Sequence, residues 1–260
     1  MISFRHLSHV LLVSLLCIGL AGCGSSGSSV DYDVADIARF TLPFDQKLDI
    51  HPDSLQDVAV VEKENKIAVE TDIDFREVVR KWSSARRNIA ARSSRRLVND
   101  YATFWGMDPS ILSLQVEMGI SGLTRDRALE LVEKRKQEVR KEIQIDVFLF
   151  AAPTNSRITG PTTRAELVIG KERYKPSRSD YGPVRDSVLP SGQRVLYRRN
   201  TFFFQRVRDD ADILADASTM SLEVNRFAQG TDDSFTWSWE TDAPFDDDRD
   251  SRASSTDRRE

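Results

Sequence analysis

Beyond Gln144 the chain offers strand after strand with no helix between them, and this constrains its fold more than any other feature. Apolar or alternating runs at 146–151, 164–169, 172–174, 194–199, 202–207, 219–226 and 234–240 are parted by turn residues. Phe235, Trp237 and Trp239 alternate with Thr236, Ser238 and Glu240, so this strand buries one face and wets the other. Gly170-Lys171 is a two-residue hairpin link. Parallel strands need crossover helices, and none is signalled here. The pattern predicts an α+β chain in which a helical segment precedes an antiparallel, Ig-like β-sandwich over 145–241.

The preceding stretch, 37–144, reads as a hairpin followed by helices. Val58-Ala59-Val60-Val61 and Ile67-Ala68-Val69 flank Glu64-Asn65-Lys66, where Asn65 tolerates positive φ. From Asp74, a residue able to cap a helix, Phe75, Val78, Val79, Trp82, Ile89, Leu97, Tyr101 and Phe104 recur near helical spacing. That predicts one long amphipathic helix to about Trp105, stopped at Gly106-Met107-Asp108-Pro109. A short helix over Ser110–Met118 follows. A second long one runs from Arg125 to about Ile143, capped by Thr124, with Ala128, Leu131, Val132, Val139 and Ile143 inward and Glu130 paired to Lys134.

The first residues are an address rather than a fold. A polar start with Arg5, an apolar stretch from Val10 to Leu20 and small residues before Cys23 follow the order of a secretory signal. The apolar stretch is short for a bilayer span. Leu20-Ala21-Gly22-Cys23 resembles the bacterial lipobox. That resemblance implies a diacylglyceryl thioether on Cys23, removal of residues 1–22, and anchoring to membrane lipid. Each buried methylene then contributes about 0.8 kcal/mol, and two or more acyl chains hold stably. Residues 23–36 carry the Gly/Ser run 24–29, a flexible tether with a reach of roughly 20 Å. Gly24 in place of Asp after the cysteine favours, by the same resemblance, the outer membrane facing the periplasm in a source with two membranes.

Cleavage also decides the metal and thiol chemistry. The chain has 2 Cys and 3 His, and Cys17, His6 and His9 leave with the signal, so the mature chain keeps Cys23 and His51. No internal disulfide and no Cys/His zinc site can form from one of each. His51 lies in a polar stretch, Asp49-Ile50-His51-Pro52-Asp53, and reads as a surface histidine. No metal and no cofactor is expected. A Walker A, dinucleotide-binding, zinc-protease or nucleophile-elbow pattern is not present in the sequence.

The order of elements resembles a group of uncharacterised bacterial lipoproteins with helices ahead of a small β-sandwich. Phe148-Leu149-Phe150-Ala151-Ala152-Pro153, the run 164–176 and Phe202-Phe203-Phe204 carry this resemblance. It implies architecture and no activity.

Charge supplies the remaining function classes. A net charge of −4 argues against nucleic acid as partner. The densest basic stretch holds Arg76, Arg80, Lys81, Arg86, Arg87, Arg92, Arg95 and Arg96 against Glu77 alone. Arg80, Arg86, Arg87, Arg92, Arg95 and Arg96 are candidate anion ligands for lipid or lipopolysaccharide phosphate, because guanidinium forks match phosphate oxygens. The competing reading pairs them with Glu117, Glu130, Glu133, Glu138 and Glu142 of the following helices. Trp82, Trp105, Trp237 and Trp239 are expected in the core rather than on a carbohydrate platform. Asp209-Asp210 with Asp212, Asp232-Asp233 and Asp246-Asp247-Asp248 lack calcium-loop spacing and read as solvated loops, and the stretch 242–260 as a disordered tail. The expected function is a non-catalytic envelope interaction or structural module with an envelope protein partner. Polyanion binding through the Arg-rich helix is the first alternative, and a carboxylate-based enzyme the second.

Overall fold

The strand-forming runs pair into two main sheets in the computed structural model. It describes Ile37 and residues 42–88, 100–115, Met118, 123–151, 163–188, Gly192, 194–226 and 231–240. The expected signal, tether and tail lie outside the described residues, as do Cys23, Arg92, Arg95 and Arg96. In chain order the elements are β1 (Asp45–Leu48), β2 (Val58–Lys63), β3 (Lys66–Thr71), α1 (Phe75–Lys81), β4 (Ser83–Ala85), β5 (Arg87–Asn88) and β6 (Tyr101–Phe104). Then come α2 (Met107–Leu112), α3 (Arg125–Lys141), β7 (Glu142–Ala151), β8 (Thr163–Ile169), β9 (Glu172–Tyr174), β10 (Arg178–Val188) and β11 (Arg194–Gln205). Last are β12 (Val207–Arg208), β13 (Ala211–Asp212), β14 (Thr219–Arg226) and β15 (Thr231–Trp239). One sheet runs β10-β11-β7-β6-β4, and the other runs β1-β15-β14-β8-β9 with β5 also on β15. Every pairing is antiparallel except β1 on β15. The fold is therefore α+β, mostly strand, in antiparallel sheets with few helices.

Alternation builds the core as the sequence predicts. Phe235, Trp237 and Trp239 on β15, Met220, Leu222 and Val224 on β14, and Ala165 and Leu167 on β8 are buried. They share one cluster with Ile143, Ile145, Val147 and Leu149 of β7, Phe202 and Phe204 of β11, and Phe104 of β6. The opposite face of β6 and β7 is also covered: Tyr101 stacks on Phe148 at 4.6 Å, in a second cluster with Ile37, Leu42 and Val79. Glu64 and Asn65 carry positive φ in the β2–β3 turn, and Gly170 does so between β8 and β9, the geometry of tight hairpin links.

The long helix expected over 74–105 is not formed. Asp74 caps α1 as predicted, its side chain accepting from the Arg76 N–H, but the helix ends at Lys81 and the chain turns into β4, β5 and then β6. Tyr101-Ala102-Thr103-Phe104 is buried on both faces, and a run buried on both sides shows no period of two to set it apart from a helix. Ser83 and Thr103 join their hydroxyls across β4 and β6 at 2.8 Å. Pro109, read as a helix stop, instead lies in the first turn of α2, where its missing N–H has no intrahelical partner to lose. The helix expected from Ser110 accordingly begins at Met107.

α3 starts after Thr124 with Ala128, Val132 and Val139 buried, but Ile143 belongs to β7. Glu130 bonds Arg127, and Lys134 lies 3.9 Å from Glu138, in place of the expected Glu130–Lys134 pair. The run 194–199 fuses with 202–205 into β11, because Asn200 and Thr201 pair with Val147 and Asp146 of β7, and Val207 falls in β12. The boundary expected between 144 and 145 falls within one sheet, where β6 pairs with β7.

Trp82 joins these parts. Its carbonyl accepts from the Phe104 N–H and from the Trp237 indole N–H, both at 3.0 Å. Its ring lies edge-on to Phe104 at 5.5 Å. A Cβ added to Gly106 would meet that ring at 2.0 Å, and the ring is buried too tightly to move aside. Gly106→Ala is expected to destabilise the fold by about 1–3 kcal/mol, read as a lower urea midpoint with an unchanged slope.

Candidate functional site

Of the candidate anion ligands, the described side chains are Arg80 and Arg86, and both are engaged locally. Arg80 closes on Glu77 within α1. Arg86 is only 7% exposed, and its guanidinium meets the Asp100 carboxylate at 3.1 Å. Asp100 also accepts from the Phe150 N–H at 2.7 Å, so this pair joins the β4–β5 corner to β7. Arg87 lies on β5 opposite Ser234. Arg92, Arg95 and Arg96 are outside the described residues, as is Cys23. The nearby cations are also engaged, Arg76 with Asp74 and Lys81 with Asp57. Among the described residues the chain after Lys81 is strand rather than helix, and Arg86 is removed from any exposed basic patch.

Two further buried charges serve the fold. Asp146, fully buried, accepts from the Trp105 indole N–H and the Thr201 hydroxyl, each at 2.6 Å, and meets Arg199 at 2.7 Å. Arg206 is buried and forks onto Asp53 and Asp212 while also donating to the Val139 carbonyl. Burial alone would lower the Arg206 pKa, but the hydrogen bonds to Asp53 and Asp212 override it and hold the guanidinium above its ordinary value. Burial likewise pushes Asp212 up, and the bonds from Arg206 and the Leu214 N–H bring it below the usual carboxylate range. His51, expected at the surface, is largely covered: its side chain is 15% exposed, 3.7 Å from Asp53 and edge-on to Trp239.

Among the described residues no group of His, Cys, Asp or Glu could hold a metal ion. Asp209 and Asp210 carry positive φ in the β12–β13 turn, the work of acidic residues in a tight turn rather than of a calcium loop. All four tryptophans are buried.

Among the described residues, β10 is an edge strand with no further strand beyond it. This edge strand, which contains Gly182-Pro183, is not among the strands that the sequence pattern signals. The structure absorbs both in an irregularity between Tyr181 and Val184. A Cβ at Gly182 would lie 2.6 Å from the Arg199 carbonyl, so the close approach requires glycine. Tyr181, Val184 and Val188 are 37%, 43% and 55% exposed. An edge strand also presents a row of unpaired backbone N–H and C=O groups, so this margin can take polypeptide.

Comparison with known proteins finds no match: no family model, no curated protein and no solved structure is similar to this chain.

One carboxylate is perturbed enough to titrate near neutrality. Burial pushes Asp108 from 3.8 up to about 6, against the pull of the Gln56 and Asp57 N–H groups at 3.0 and 3.3 Å. The folded chain holds this proton more tightly than the unfolded chain. Its stabilising contribution is therefore full below about pH 4 and is lost as pH rises through about 6. Urea titrations at both ends of that window should show the parent losing on the order of 3 kcal/mol relative to Asp108→Asn, which stays neutral.

Proposed function

We propose that this chain is a bacterial envelope lipoprotein, anchored through lipidated Cys23, whose body is an Ig-like β-sandwich acting as a non-catalytic interaction module. The lipobox-like Leu20-Ala21-Gly22-Cys23 and the Gly/Ser run behind it support the anchor. No helix among the described residues is long and apolar enough to cross a membrane. A sandwich is consistent with two antiparallel sheets whose facing side chains share one core.

One observation carries the module reading: the buried charges close on one another while apolar side chains are left outside. Arg86 with Asp100, Arg199 with Asp146, and Arg206 with Asp53 and Asp212 fasten separate segments of chain. Asp108, the perturbed carboxylate, is fully buried on two backbone N–H groups rather than facing a cleft, and an acid or base must reach its substrate's proton. The exposed apolar groups of β10 suit a protein partner.

Mass spectrometry of the N-terminal peptide should find residues 1–22 gone and Cys23 lipidated, and Cys23→Ala should move the protein to the soluble fraction with its thermal midpoint unchanged. A chain that begins at Met1, or an unmodified Cys23, contradicts the anchor. Pull-down from detergent-solubilised envelope at two ionic strengths tests the module. Recovery of one protein at both supports it, whereas binding that collapses with salt assigns the activity to a polyanion and to the arginines beyond Arg86.

A further inference from the structure

We infer that the open margin between β8 and β10 is a docking site for one extended strand of a partner protein, with alternate apolar side chains. This rests on the module reading and names the surface and the partner class.

The registers place the two strands at the same end of the fold. From the corner where β4 runs through Arg86 into β5, one sheet steps across Ala85, Tyr101, Phe148 and Arg199. Beside Arg199, Arg198 pairs with Val184 of β10. From the same corner the other sheet steps across Arg87, Ser234, Glu223 and Glu166 of β8. Glu166 and Val184 therefore stand at corresponding levels on the far margin.

Among the described residues the chain closes only part of that margin. β9 pairs with β8 at Leu167–Ile169, then crosses through residues 175–177 to become β10 in the other sheet. Above this crossing, β8 from Thr163 to Glu166 has β14 on one side and no strand on the other among the described residues. Its outer backbone groups are a template for one more strand, about 4.8 Å away.

The opposite sheet is built as if that strand were there. Val184 shares the inward face of Arg198, Asn200 and Phe202 by register, and Tyr181 meets the Phe202 ring edge-on at 6.1 Å. Inward-facing residues of a two-sheet core are ordinarily covered, yet Tyr181, Val184 and Val188 are the exposed apolar groups of this strand. Just behind them Asn200 is fully buried, and neither atom of its amide has a hydrogen-bond partner. Such a pair of unmet groups calls for an unseen partner. A strand added beside Thr163–Glu166 extends its sheet over β10, covers the valines and brings polar groups toward Asn200. Backbone pairing supplies the affinity, and alternate apolar side chains the specificity.

Hydrogen exchange of the full chain in dodecyl maltoside, with and without an acetylated octapeptide of alternating Val and Thr, tests this. Added peptide is expected to slow exchange saturably, with a dissociation constant below about 1 mM, in both 163–167 and 183–188. Val184→Lys, an exposed change on an edge strand, should weaken that binding at least tenfold without moving the thermal midpoint. No slowing, slowing elsewhere, or equal binding by Val184→Lys overturns the site. Slowing of both segments on raising the protein's own concentration, without peptide, assigns the margin to a second copy and also overturns the inference. An envelope protein recovered equally by parent and Val184→Lys would leave the module reading standing and remove this surface from it.

Discussion

The carbonyl of Trp82 is the point on which the arrangement of both sheets depends. In a continuous helix it would accept the N–H of residue 86. Here it accepts from Phe104 of one sheet and from the Trp237 indole of the other, so ending α1 after about two turns is what lets the sheets be joined. The Trp82 ring then fills the space that Gly106 leaves open. A buried indole N–H without an acceptor would cost about 1–3 kcal/mol, which ties Trp237, and with it β15, to one position relative to β6.

Charge does a second share of positioning. The basic density at 76–96 is resolved locally where it is described, as Arg76 on Asp74, Arg80 on Glu77, Lys81 on Asp57 and Arg86 on Asp100. Buried pairs of this kind gain little net stability, because desolvation offsets the Coulomb attraction, but breaking one leaves an unmet charge. Arg206 brings together Asp53 from the N-terminal loop, Asp212 beyond β12 and a carbonyl of α3. Any other packing of those segments would strand at least one of these groups.

The C-terminal strands were legible because one-sided burial writes a period of two, as in β15, and because Asn65 and Gly170 mark their turns. α3 was legible from Thr124 and its inner face. β4 and β6 were not, since residues buried on both faces lose the alternation and fell by chance near helical spacing. β10 was hidden by Gly182-Pro183, whose role is set by the neighbouring Arg199 carbonyl and not by anything local. The ion pair of Arg206 with Asp53 spans 153 positions, and no spacing rule connects residues so far apart. Of the candidate site residues, Arg86 illustrates the limit most clearly: its place in a basic run suggests an exposed ligand, and its partner Asp100 lies on the far side of a segment whose path the run does not encode.

The central claim is that a single core, held through Trp82, unites the two sheets and the short helix. Native-state hydrogen exchange in low urea tests it most directly. The amides of Phe104, Ile145, Phe202, Leu222 and Trp237 are expected to exchange through one common opening, with the same free energy, and to fall together in Trp82→Ala. Two separate opening free energies, one for each sheet, with Trp82→Ala lowering only one of them, would contradict it.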